Sequence, residues 1–436
     1  MKKIATGLLV LTLAFAFTTL GQVTKYNFKF DRAFPDTGFK NASGAHGIVV
    51  DPAGKVWIQR YGNADSIKNA AGNWVPCRVI DVFNPDGSKA SFSPIKTITV
   101  GATTDTLFGA NLGLDKDNVG NILAAVKGSY LYKINYRTGA GMAKRYFQIP
   151  NTITKPAADS LGEIVITSVF AGQLPLLLMD NNFTDLGNAM DTTKAFSRAV
   201  AISKDGNDVF FAGYSGKYVL RVHSDNGSLG PYTVADTLFN GKLQVESITL
   251  HPKTNYLWVS SGNNNNPSNY PGFTDFSFYA FTPPNYSTPV DSFKWNGSTA
   301  NDPRPRGIAF SPTGDTVYVC QFQDPNSPVA QRFVRGVTGV TRQPDAVAKE
   351  YTLGQNYPNP FNPSTTIRFT LPVASTISLK VYDVLGKEVA TLAEGAYQPG
   401  SYNVTFEAKN INSGVYFYTL KTSTGFVQSN RMLLMK

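Results

Sequence analysis

Four ionisable side chains stand at one repeated offset in this 436-residue chain. His46, Arg198, Glu246 and Arg306 each lie five residues before the turn residue of a recurring hairpin, at Asp51, Ser203, His251 and Ser311. If those hairpins close into a ring, that position falls at the mouth of a central funnel, where a low dielectric strengthens each charge's hold on a bound group. Asn111 joins the set one place out of register. A single carboxylate among two guanidinium groups and an imidazole suits a cation poorly, whereas arginine grips carboxylates with a planar fork of donors. The pattern points to an acidic or sugar-like ligand. An equally open reading is that the charges satisfy one another, with Glu246 between Arg198 and Arg306, so that they merely fill the funnel.

Other chemistry is sparse. The chain has no GxSxG, HExxH or phosphate-binding loop. Asp115, Asp117 and Gly120 begin like a calcium loop, but Val126 takes the place of the closing glutamate, so the segment reads as a strand turn. A three-histidine metal site would need all three histidines, His46, His223 and His251, and the repeat puts His251 in a turn. The sequence therefore predicts neither a metal centre nor a cofactor. No paired carboxylates fall at the predicted mouth, which favours a binding protein over an enzyme. Cys77 and Cys320 show no metal-ligand spacing; they lie in the first and last repeats, neighbours in a closed ring, and form either one disulfide or two buried thiols.

The elements that position these residues are repeated hairpins. The copies read GIVVDPAGKVWIQ from Gly47, NLGLDKDNVGNILAAV from Asn111, AVAISKDGNDVFFAG from Ala199, SITLHPKTNYLWVS from Ser247 and GIAFSPTGDTVYVC from Gly307, with Trp57, Phe210, Trp258 and Tyr318 at matching places. A weaker sixth copy starts near Glu163 as EIVITSVF and QLPLLLMD. Strand candidates from Tyr130, Tyr218 and Phe276 complete four-stranded units, and YNFKF from Tyr26 is placed to close the ring against the last one. One hairpin cannot bury its own apolar faces, and stacking such units around an axis solves that problem. The expected fold is all-β: a six-bladed β-propeller over residues 22–337, with seven blades as the alternative, a polar linker at 338–350, and a C-terminal β-sandwich over 351–436. The Asn-rich stretch from Ser260 to Phe273 offers a candidate carbohydrate surface, although its plainer reading is a blade insertion.

Composition agrees with this reading. The chain holds 29 Phe, 21 Tyr, 38 Gly and 26 Pro but only 16% charged residues, a balance of strand and turn formers. Its net charge of +10 is dispersed without any run of five basic residues, so nucleic acid is not an expected partner. Met1, Lys2 and Lys3, the apolar stretch from Ile4 to Phe17 and the small-residue exit near Gly21 read as a cleaved export signal over residues 1–21. No segment is long and apolar enough to be a transmembrane helix.

Two resemblances sharpen the picture. Phrases such as PRGIAFSPTGDTVYV from Pro305 resemble the repeats of NHL, YVTN and gluconolactonase-like propellers. That likeness implies architecture more than chemistry; gluconolactonase-like propellers bind a divalent metal near the mouth, and their hydrolase or lyase activity on extracellular sugars or lactones is the alternative to a binding role. The tail carries NYPNPFNPSTTIRF, VYDVLGKEV, PGSYNVTF and GVYFYTL, and closely resembles the C-terminal sorting domain of type IX secretion cargo, an immunoglobulin-like sandwich. The resemblance implies secretion, or display on the outer-membrane surface of a Gram-negative bacterium. It implies an outer-membrane translocon as partner, with recognition carried by Asn430, Arg431, Met432, Leu433, Leu434, Met435 and Lys436.

Overall fold

The computed structural model describes residues 25–435 except 41–42, 110, 127, 151, 263–272, 298–303, 336–338, 344–348, 398 and 409–410. The expected export signal, Lys436 and most of the Asn-rich loop lie outside the described residues.

The described chain is all-β, with one short 3-10 turn at Gly227–Leu229. The five clear hairpin copies each form the first two strands of an antiparallel sheet. The inner strands of six successive sheets are Ala45–Val50, Asn111–Lys116, Ala157–Ala158, Ser197–Ile202, Ser247–Leu250 and Arg304–Phe310. Each inner strand lies beside that of the next sheet, and the sixth lies beside the first. Lys29–Phe34 supplies the outer strand of the sixth sheet by pairing antiparallel with Ala330–Val334, so the beginning of the chain closes against its last repeat. This strand starts three residues later than YNFKF suggests, because Tyr26 and Phe28 are spent on the core between the fifth and sixth sheets.

Burial explains the arrangement. Inner strands such as AHGIVV and second strands such as VWIQR are buried along their whole length rather than on alternate residues, as strands covered on both faces must be. The apolar side chains group into six clusters, one at each junction between neighbouring sheets. The largest aromatic set, around Trp258, Phe278, Phe293 and Phe310, fills the junction between sheets five and six.

Three details differ from the sequence reading. The sixth hairpin, from Glu163, supplies the second and third strands of its sheet, Ile164–Ile166 and Leu176–Met179, because the inner strand Ala157–Ala158 is too short to register as a repeat. The first sheet has three strands, not four, and carries two small hairpins, Asp65–Lys68 with Trp74–Cys77 and Thr97–Val100 with Thr103–Thr106. The stretch 338–350, expected as a linker, contains a strand, Gly339–Gln343, that pairs with Gly400–Glu407. An edge strand is held by backbone hydrogen bonds on one side and needs no apolar run to announce it.

Of the two alternatives for the cysteines the structure has the thiols, not the disulfide: Cys77 and Cys320 are both buried and free. Cys77 ends an inserted hairpin, whereas the Cys320 thiol sits inside the ring, donates toward the carbonyl of Ala45 at 3.5 Å and is pushed up by burial to about 12. The calcium-like segment at Asp117 is a turn, with the Asp117 carboxylate accepting the amides of Val119 and Asn121.

The C-terminal region forms two four-stranded antiparallel sheets around one core that includes Phe361, Phe369, Tyr402, Tyr418 and Met432. Among the described residues no helix is long and apolar enough to cross a membrane.

Candidate functional site

Three inner strands break their register where the candidate residues sit. The ladder slips at His46, between Ser197 and Val200 around Arg198, and between Pro305 and Ile308 around Arg306. Such bulges turn a side chain away from the sheet face and commonly serve sites. Glu246 precedes the inner strand of sheet five and is anchored there by its amide bonding the carbonyl of Ser260 at 3.1 Å. The structure thereby brings four residues from four sheets into one cluster.

Arg306 is its hinge. Its Nε and Nη2 donate to Glu246 Oε2 at 3.0 and 2.8 Å, and its Nη1 donates to His46 Nε2. Arg198 Nε lies 3.6 Å from the same Glu246 oxygen. Glu246, Arg306 and His46 are 1%, 4% and 6% exposed, whereas the Arg198 side chain remains 24% exposed. Asn111 is not placed in the cluster: its backbone pairs with Val126, the irregularity of that strand falls at the next residue, and its side chain lies outside the description.

An aromatic wall surrounds the charges. His46 stacks on Tyr61 with ring centroids 4.0 Å apart and meets Phe322 edge-on at 4.5 Å. The Arg306 guanidinium lies 4.8 Å from the Phe322 centroid, and that of Arg198 lies 4.5 and 4.8 Å from Phe196 and Tyr214. Sequence reasoning missed these rings, although the repeat contains the signal. Tyr61, Tyr214 and Phe322 each stand four residues beyond the matched aromatic of the second strand, at Trp57, Phe210 and Tyr318. The fourth copy has Gly262 there, where a Cβ would come 2.6 Å from the Glu246 Cγ. Glycine is the residue that leaves Glu246 its space.

Burial holds the His46 imidazole well below its ordinary value, and the charges of Arg306, Arg198 and Arg78 push it further down. The ring is therefore a neutral acceptor for Arg306. Two guanidinium groups against one carboxylate, with the imidazole neutral, leave one positive charge in excess. Burial, then the charge of Arg306, also lowers Arg198. Glu246 Oε1 is buried without a hydrogen-bond partner.

A nuclear magnetic resonance titration is expected to show the His46 ring still unprotonated as the pH falls through the ordinary 6.5; a transition near that value would contradict this environment. The sign for stability follows. The unfolded chain accepts a proton that folded His46 refuses, so this group costs roughly 1.4 kcal/mol per pH unit as pH falls below about 6.5.

Comparison with known proteins adds the following. Residues 355–434 match the family of secretion system C-terminal sorting domains. This is the tail of type IX secretion cargo, and it marks the chain as secreted or attached to the outer surface of the cell. Among curated proteins, none matches the chain. Similar solved structures include the calcium-binding protein regucalcin of Agrobacterium tumefaciens, with 13% identity over 70% of this chain and 95% of that one, at a TM-score of 0.44. Another is PorZ, a surface component of the type IX secretion system of Porphyromonas gingivalis, with 15% identity over 90% of this chain and a TM-score of 0.40. The chain spans about half the length of PorZ, at 52%.

Proposed function

We propose that the protein is a secreted binding propeller of six blades, carried outward by an immunoglobulin-like sorting sandwich, and that the mouth of its ring takes an acidic ligand, an acidic sugar above all. The observation that carries this reading is the state of Arg198. It keeps a partly exposed guanidinium at a cluster with one positive charge in excess, while Arg306 is consumed by Glu246 and His46. A ligand carboxylate entering there would meet a fork of donors backed by the faces of Phe196 and Tyr214. Tyr61 and Phe322 would offer apolar surface to a sugar ring.

The mutual pairing of Glu246 with the arginines favours binding over hydrolysis. A carboxylate locked by one guanidinium and approached by another is poorly placed to move a proton, and it has no second carboxylate as partner. In this reading residues 1–21 are the leader, 22–337 the propeller and 351–436 the sandwich, to which the strand Gly339–Gln343 adds an edge.

Calorimetric titration of the full chain with a uronic acid and with its neutral parent sugar tests the proposal. Binding of the uronate at least about tenfold tighter, weakening with added salt, is expected. Equal affinity for both, or turnover of a lactone panel, would overturn it.

A further inference from the structure

The terminal strand Val427–Leu434 is the last of its sheet and pairs with Gly414–Thr422 on one side only. An outer strand ordinarily presents unpaired backbone groups that invite another chain. Here the other side is occupied. Gln355 Nε2 donates to the carbonyl of Arg431 at 2.7 Å, and the amide of Leu433 donates to Asn359 Oδ1 at 2.9 Å. Phe361 then takes over with its backbone: its amide donates to the Leu433 carbonyl and its carbonyl accepts the Met435 amide, both at 3.0 Å, in a parallel bridge with Leu434. Further up, Asn430 Nδ2 donates to the carbonyl of Leu353 at 2.9 Å. Phe361 is 2% exposed and sits in the sandwich core, which fixes the segment in place.

The opening of the sorting domain therefore works as a clasp on its last strand, with side-chain amides standing in for strand backbone. The two partners lie more than seventy residues apart in sequence, yet they bound the matched unit, which runs from Gln355 to Leu434. What the clasp leaves accessible is a row of side chains on the outer face: Val427, Ser429 and Arg431 are exposed and Leu433 is half-buried.

We propose that Gln355 and Asn359 are positioning residues of the sorting signal. They hold the terminal strand closed in its sheet, and the secretion machinery reads it in that form, through its outward side chains rather than by adding a strand to its edge. This inference rests on the sorting domain and is independent of the ligand reading.

The test uses the full chain produced in a bacterium with a type IX system. In the double variant Gln355→Ala, Asn359→Ala, amide exchange at Leu433 and Met435 is expected to rise about tenfold or more, with Ile367 and Val404 unchanged. Export to the surface and medium should fall several-fold, with the chain retained in the periplasm. Asn359→Asp keeps the oxygen that accepts the Leu433 amide and should export close to the parent level. Should the double variant fail to fold, Asn359→Ala alone carries the same readouts. Unchanged exchange at Leu433, export at or above the parent level despite a loosened strand, or an Asp variant as defective as the alanine variant would each overturn the proposal.

Discussion

Glu246→Gln is expected to destabilise the ring by about 3–5 kcal/mol, the usual cost of removing one partner from a buried ion pair. Glu246 is 1% exposed and its Oε2 receives two donors from Arg306, which is itself 4% exposed. The amide that replaces it is neutral, and it would leave Arg306 and Arg198 facing one another with no countercharge. Burial, and after it the charge of Arg306, already lowers Arg198 in the intact protein. Thermal unfolding should register a fall of roughly 5–10 °C. A second substitution separates charge from shape: adding Arg306→Met should restore part of the loss, since an apolar replacement of a whole buried pair is often neutral or better. A single Gln variant as stable as the parent would show that the pair is not desolvated as described.

Trp258→Ala should cost a similar amount, about 3–5 kcal/mol, for a different reason. Trp258 is fully buried at the junction of sheets five and six, with ring centroids 5.5–5.8 Å from those of Phe28, Phe293 and Phe310. Its removal opens a cavity between two sheets whose backbones are fixed by the ring and cannot close on it. Trp258→Phe should be far milder, below about 1.5 kcal/mol, because the indole nitrogen has no hydrogen-bond partner to lose. Chemical denaturation of both variants gives the comparison; equal losses would mean that the cavity does not set the cost.

Much of this was legible in the sequence because a repeat turns one local rule into several. Counting five back from a turn puts His46, Arg198, Glu246 and Arg306 together; three of these copies bulge at that point of the inner strand, and Glu246 stands just before its own. The same logic, run four residues beyond the second-strand aromatic, finds Tyr61, Tyr214 and Phe322. Aromatics at strand ends carry no charge pattern to single them out. Where a copy is degenerate the rule fails: Ala157–Ala158 is too short to show periodicity, so its hairpin was read one strand out of step. Which of the two readings of the charge cluster holds was not legible at all. It depends on side-chain reach: Arg306 holds Glu246 Oε2, Oε1 has no hydrogen-bond partner, and Arg198 keeps exposed surface. Nor does sequence spacing reveal the clasp, because Gln355 and Arg431 meet only through the tertiary fold.

Arg198 offers the most direct test of the binding claim. Arg306 is unsuitable, since its loss would leave Glu246 buried with only the more distant Arg198 as countercharge, whereas Arg198 reaches Glu246 only at 3.6 Å and otherwise lies against the rings of Phe196 and Tyr214. Arg198→Ala should fold like the parent and lose affinity for a uronate by about tenfold to a hundredfold, with Arg198→Lys recovering part of the charge but not the planar fork. An alanine variant that folds normally and binds acidic ligands as tightly as the parent would contradict the mouth of the ring as their site.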